Sequence, residues 1–176
     1  KTLFIRVHAQ GLEKIPTDGR FVLVCNHNSN ADPVLLLHAF RKSQLAFISK
    51  KENLQKPIVG PLMLKIQCQL IDRENDRAAL KTILKCISIL KEDKASIAVF
   101  PEGYIHKDKK LHHFRPGVFK IAKKANVPIV VCTMKNTLNS VSNLLHLKPT
   151  HVELNVLEVI PVEEVKSHST VELAHR

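Results

Sequence analysis

FVLVCNHNSNADPVLLLHAF, residues 21–40, holds three kinds of sequence in a row. Phe21 to Cys25 is a short unbroken apolar run, the signature of a strand buried on both faces. Asn26 to Ala31 is polar. Asp32-Pro33 then opens an apolar helix that runs to about Phe40, with Asp32 as N-cap and Pro33 at the first helical position. A buried strand that passes through a polar loop into a helix is the repeating unit of a parallel α/β sheet.

The alternation continues on both sides of this stretch. Phe4–Ala9, Leu45–Ser49, Cys68–Ile71, Ile97–Phe100, Ile129–Thr133 and Val152–Ile160 read as further strands. Pro57–Ile66 and Val118–Asn126 read as helices. Arg77–Lys91 is the clearest helix, with Leu80, Ile83, Leu84, Ile87 and Leu90 at helical spacing and Lys81, Lys85 and Lys91 outside. Thr170–Arg176 is helix-like. Gly11–Gly19 is a turn region and Pro101–Pro116 a long polar loop. The pattern predicts the α/β class: one domain over residues 1–176, with a mostly parallel central sheet flanked by helices. In such a sheet ligands bind beyond the carboxyl ends of the strands.

Composition narrows the function. The chain of 176 residues is 44% hydrophobic and 24% charged, an ordinary globular balance. Its formal net charge of +11 draws anions: phosphates, nucleic acid or anionic lipid. Cys25, Cys68 and Cys132 lie in strand-like runs and Cys86 on an apolar helix. None forms a CxxC pair, so they read as buried thiols in a reducing compartment. No apolar run approaches the roughly 20 residues that cross a bilayer, and no signal-peptide pattern begins at Lys1.

Three polar segments follow directly after strands: Asn26–Asp32, Asp72–Asp76 and Pro101–Arg115. A parallel sheet gathers them on one edge. His27 and Asp32 are five residues apart, which on a continuous helix is about 140° of rotation. They meet only if the segment is a loop that turns back at the helix start, as Pro33 suggests. Asp32 then fixes the imidazole tautomer and stabilises the imidazolium formed when His27 takes a proton. Spacing alone favours ordinary capping by Asp32 and a solvated His27 over the pair. No G-x-S-x-G elbow is present and no Ser or Cys is posted as a nucleophile. A base without an enzyme nucleophile suits direct activation of a substrate hydroxyl, with an electrophilic partner such as a thioester. Arg73, just after a strand, can clamp a phosphate with its planar fork or pair with Asp72, Glu74 or Asp76. In FPEG, residues 100–103, Pro101 stops the strand and Gly103 admits a close backbone approach. Glu102 there is a hydroxyl acceptor or a solvated turn residue. His106, His112 and His113 lack the carboxylate or Cys that would complete a metal set, so no metal site and no cofactor are expected.

The order NH-x4-D, I-D-R, F-P-E-G and V-P-I-V, from about Phe4 to Ile160, resembles the glycerolipid acyltransferase family, most of all its 1-acylglycerol-3-phosphate acyltransferases. The resemblance implies that His27 is the base and Asp32 its orienter. It implies that Arg73 contacts the acceptor phosphate, that Lys50 in SKKEN can also meet phosphate, and that Asn26, Glu102 and Gly103 belong to the substrate-binding set. Val127, Pro128 and Ile129 match the fourth motif, expected near the acyl site. The implied reaction moves a fatty acyl group from acyl-CoA or acyl carrier protein to the 2-hydroxyl of lysophosphatidate, giving phosphatidate. Tyr104, Ile105 and His106 depart from the small hydroxyl residue and Arg usual after FPEG; Lys107, Lys109 or Arg115 can stand in. Gln67 replaces a usual Gly, and Val131 the second Pro of the fourth motif.

The resemblance further implies a membrane-associated enzyme at the cytoplasmic face, working on an anionic lipid surface. The chain is expected to lack an N-terminal membrane-associated segment and its C-terminal end. The helices 32–40 and 57–66 are apolar enough to dip into the interface, to line an acyl channel or simply to pack on the sheet. The basic stretch Lys107–Lys124 suits lipid headgroups or the carrier's phosphates. Rival readings are an acyltransferase for glycerol 3-phosphate or another lysolipid, a noncatalytic lipid-binding module, and a nucleic-acid binder. The last fits poorly, because the chain has no Trp and one Tyr to stack on bases, and no nucleic-acid partner is expected.

Overall fold

The computed structural model describes residues 4–176 except 58, 73, 74, 107 and 109, with Asp76 described by its backbone alone. Among the described residues seven strands form one sheet: β1 Ile5–Gln10, β2 Val22–Cys25, β3 Leu45–Lys50, β4 Gln69–Ile71, β5 Ser96–Val99, β6 Ile129–Lys135 and β7 Thr150–Ile160. Their order is β1-β7-β6-β2-β5-β3-β4. The pairs β6–β2, β2–β5, β5–β3 and β3–β4 are parallel, as is β1–β7. The exception is β7, which runs antiparallel to β6 with a register shift between Val131 and Cys132.

The helices are α1 Asp32–Ala39, α2 Val59–Lys65, α3 Asp76–Lys91, α4 Phe119–Ala125, α5 Ser140–Leu145, α6 Val162–Ser167 and α7 Thr170–His175. The short α5 and α6 were not expected; their six-residue lengths are too brief for a helical period to register. Asp32 is the first helical residue rather than the N-cap, a position held by Ala31. A one-residue difference at a helix start is ordinary, but it matters here because the Asp32 side chain points back along the preceding loop.

Alternation along each strand divides the core between the two faces of the sheet. Val22, Val24, Ile97 and Val99 pack with Cys86, Leu90, Phe119 and Ile121 of α3 and α4, and with Val165 and Leu173 of α6 and α7. Leu23, Cys25, Phe47, Ala98 and Val130 pack on the other face with Leu35, Leu36 and Phe40. The first helix is therefore mostly a core helix. The α3 stripe differs from expectation: Cys86, Ile89 and Leu90 are buried, whereas Leu80 and Leu84 are 55% and 58% exposed. The apolar arc of α3 is wider than its seat on the sheet, and the sheet takes the part centred on Cys86. Asn75 caps this helix, its side chain accepting the Ala78 N–H. Among the described residues no helix is long and apolar enough to cross a membrane.

Because β2, β3, β5 and β6 run in one direction, their carboxyl ends form one edge. The loops that leave Cys25, Lys50, Val99 and Lys135 meet there.

Candidate active site

The NHNSNAD loop leaves β2 and turns back at α1. His27 Nδ1 lies 2.9 Å from Asp32 Oδ2. The same oxygen accepts the backbone N–H groups of Asn28 at 2.7 Å and Ser29 at 2.8 Å. Asp32 is fully buried. A carboxylate oxygen held by two amides is an acceptor only, so Nδ1 must be the protonated ring nitrogen. Nε2 then carries the lone pair, and it has no partner among the described residues. The His27 ring stacks on Phe100, with centroids 4.0 Å apart and 14° between planes. One nitrogen is thus tied, one face is covered, and the other nitrogen is available as a base.

Two further ties hold the loop. Asn26 exchanges both of its amide bonds with one residue of β6: Met134 N–H donates to Oδ1 at 2.8 Å, and Nδ2 donates to Met134 O at 2.9 Å. Glu102 accepts the His27 backbone N–H through Oε1 at 2.8 Å and the His112 N–H through Oε2 at 3.1 Å. Both side chains bind protein backbone and so fix the loop.

FPEG closes as a tight turn, with Gly103 N–H donating to Phe100 O at 3.0 Å. Gly103 has φ +83°, and a Cβ there would lie 2.9 Å from Arg115 Nε. The glycine therefore serves both the left-handed backbone and the seat of the arginine. Tyr104 brings two cations together: Lys50 Nζ stands 4.6 Å from the ring centroid and Arg115 Cζ 5.3 Å from it. Neither cation is in an ion pair among the described residues.

A cavity of about 430 Å³ opens beside His27. Val34 and Leu37 of α1 and Leu62, Met63 and Ile66 from α2 and its end give it an apolar wall, while Lys50, Asn53 and Lys56 stand in its polar part. A concave apolar site of roughly 300–1,000 Å³ with a few convergent polar groups is what small ligands occupy. The arrangement can hold an aliphatic chain against α1 and α2, bring its reacting end to His27 Nε2, and neutralise an anionic group near Tyr104.

The remaining expected residues fall elsewhere. Arg73, Lys107 and Lys109 lie outside the described residues. Val127, Pro128 and Ile129 stand at the start of β6, at the edge opposite His27. Val127 and Ile129 are buried in the α3–α4 core and Pro128 O accepts the Val22 N–H. Their expected place near an acyl site is corrected by the register that pairs Ile129 with Val22 and Cys132 with Cys25. Cys25, Cys86 and Cys132 are buried and free, and Cys68 is half-buried just before β4. Among the described residues no group of three or more His, Cys, Asp or Glu side chains could hold a metal ion. Two contributors carry little sequence signal: Phe100 reads as a strand end and Tyr104 as a departure from the usual residue after FPEG. The aromatic ring one residue before Pro101 and the lone tyrosine after Gly103 were the available signals.

Residues 6–135 match the family model described as Acyltransferase. The chain is 31% identical over 160 residues to a 1-acyl-sn-glycerol-3-phosphate acyltransferase of Cocos nucifera, covering 89% of this chain and 52% of that one. It is 31% identical over 157 residues to the enzyme of the same name from Escherichia coli, covering 87% and 62%. The crystal structure of the 1-acyl-sn-glycerophosphate (LPA) acyltransferase PlsC from Thermotoga maritima superposes with a TM-score of 0.75 at 27% identity, over 98% of this chain and 70% of that one. The chain thus spans about half the length of several curated relatives it matches.

Proposed function

Since the chain belongs to the acyltransferase family, we propose that it moves a fatty acyl group from an acyl-CoA or acyl-carrier-protein thioester to the 2-hydroxyl of 1-acyl-glycerol-3-phosphate, giving phosphatidate. The observation that carries this reading is the His27–Asp32 contact at 2.9 Å on the wall of an apolar cavity.

Asp32 holds the imidazole with Nε2 towards the reacting groups. Nε2 takes the proton of the acceptor hydroxyl as its oxygen attacks the thioester carbonyl. The new C–O bond gives a tetrahedral centre, whose collapse breaks the C–S bond. The leaving thiolate takes the proton back from the imidazolium, which Asp32 has stabilised. No acyl-enzyme is needed, because a thioester is already electrophilic. The acyl chain lies along Leu37, Leu62, Met63 and Ile66. Lys50 and Arg115 receive the acceptor phosphate over Tyr104, with Arg73 a further phosphate ligand by family resemblance. This supplies the positive charge that the missing arginine after FPEG would have given.

The protein is proposed to work at a membrane surface, on the cytoplasmic face, where its lipid acceptor resides. Purified protein incubated with a radiolabelled acyl thioester and a panel of lysophosphatidate, glycerol 3-phosphate and lysophosphatidylcholine tests the reading. Label appearing chiefly in phosphatidate is expected. Preference for glycerol 3-phosphate would replace the acceptor, and no transfer to any acceptor would reject the activity.

A further inference from the structure

Helix α5 is turned inside out. Its protein-facing side is polar: Ser140 is fully buried, its Oγ donates to Thr137 O at 2.6 Å, and Asn143 Nδ2 donates to Thr150 Oγ1 at 2.9 Å. Its apolar side chains face outward. Val141 and Leu144 are each 46% exposed and Leu145 77%, and Leu147, just past the helix, is 67% exposed. A helix held by hydroxyl and amide bonds while its leucines stay in water leaves its apolar surface for something outside the chain.

The surroundings say what kind of surface that is. Across a cleft of about 750 Å³, Leu111 is 69% exposed, and the cleft is walled by Lys110, Lys135, His106 and His151. Lys110, Lys135 and Lys148 stand exposed around it, against two carboxylates: Asp108, held by the His112 ring, and Glu153, opposite Lys135 across β6 and β7. Protruding leucines beside a cluster in which lysines outnumber carboxylates complement an anionic lipid leaflet: the apolar tips enter the acyl boundary while the lysines meet headgroup phosphates. The position fits as well. Gly103, Tyr104 and Ile105 line the His27 cavity, and His106, Lys110 and Leu111 line the α5 cleft. The two openings therefore share the carboxyl edge of the sheet.

We propose that α5, with its last residue Leu145 and the flanking Leu138 and Leu147, docks the protein on an anionic bilayer and turns the His27 cavity toward the leaflet. The inference rests on the proposed function for the idea that the acceptor comes from that leaflet, but binding to lipid needs no turnover. The chain has no Trp, so Leu145→Trp makes a single reporter at the tip. Vesicles of equal phosphatidylcholine and phosphatidylglycerol should shift its emission to the blue, and phosphatidylcholine alone should do so weakly. Leu145→Ser with Leu147→Ser should cut affinity for the mixed vesicles about tenfold or more, with the circular dichroism spectrum unchanged. It should slow transfer to vesicle-borne acceptor while leaving transfer to detergent-dispersed acceptor within about twofold of wild type. Unchanged vesicle affinity of the double variant, or equal binding to both vesicle types, would overturn the proposal. So would a wild-type dimer in light scattering that the double variant abolishes, since a second copy would then cover the patch. A chain that binds vesicles in this way but transfers no acyl group would leave the docking surface standing and remove the activity.

Discussion

Glu102 holds His27 by its backbone, not by its ring: Oε1 accepts the His27 N–H at 2.8 Å, while Oε2 takes the N–H of His112 at 3.1 Å. The carboxylate is 5% exposed. It joins the turn after β5 to the loop after β2, and so fixes the backbone that carries the imidazole.

Glu102→Gln tests that role. A carboxamide offers one oxygen where two amides need acceptors, and its NH₂ group would face an N–H. One buried donor is left unmet, at a cost of about 1–3 kcal/mol. The expected result is a lower denaturant midpoint and a reduced kcat, with the acceptor KM little changed. A rise in acceptor KM at constant kcat would instead make Glu102 a direct substrate ligand.

His27→Ala is expected to lower transfer by about 10²–10⁴-fold, the range for loss of a positioned base. Stability should fall by only about 1 kcal/mol, because the loop keeps its Asn26 and Glu102 ties. Asp32→Ala should behave differently, since it strips the acceptor from two buried amides as well as from the ring. It should lose activity and unfold more readily than His27→Ala. Steady-state kinetics and urea melts of both variants decide the matter; equal stability losses would mean that Asp32 does not hold the loop.

The sheet was legible because its strands are short apolar runs broken by polar loops, and all seven were expected within a residue or two. The His27–Asp32 pair was half-legible: spacing required a turn, and Pro33 suggested one, but only the fold could show Asp32 Oδ2 gathering three donors. What escaped was indirect. Asn26 and Glu102 look like ligands in a motif, yet their bonds go to backbone that lies 108 and 75 residues away in the chain. Val127–Ile129 looked like site residues for the same reason, and parallel register alone puts them at the far edge. The outward leucines of α5 had no readable signal, because a helix of six residues shows hydrophobicity without showing which side is buried.

Gly103→Ala is expected to destabilise the protein by at least about 1–2 kcal/mol through its left-handed backbone. It should also push Arg115 away, since the new Cβ would stand 2.9 Å from Nε. If Arg115 receives the acceptor phosphate, the acceptor KM rises in this variant and in Arg115→Ala alike. Arg115→Lys should recover only part of the loss, because an ammonium cannot repeat the planar contact with Tyr104. A Gly103→Ala variant that is destabilised but keeps the wild-type acceptor KM would exclude Arg115 from that task.

Cys68 gives a chemical handle on the same cavity. It lines the wall beside Met63 and Ile66. Burial pushes its thiol up from 9.0, partly offset by a hydrogen bond that the sulfur receives from the Phe47 backbone. Burial drives Cys25 well above the ordinary range and Cys86 up to about 12. The thiolate is the reacting form, so a raised thiol makes alkylation slow near neutrality and faster as the pH climbs. N-ethylmaleimide on the native protein should therefore modify Cys68 first, at a rate that rises as the pH is raised from neutrality, while Cys25 and Cys86 react only after unfolding. A maleimide adduct on Cys68 would fill space next to the apolar wall. Long-chain donors should then be used less well than short-chain ones, and a bound long-chain thioester should protect the thiol. Peptide mapping by mass spectrometry, run beside a chain-length series, measures both effects. Labelling of Cys68 that leaves the chain-length profile untouched would mean that the acyl chain does not lie along this wall.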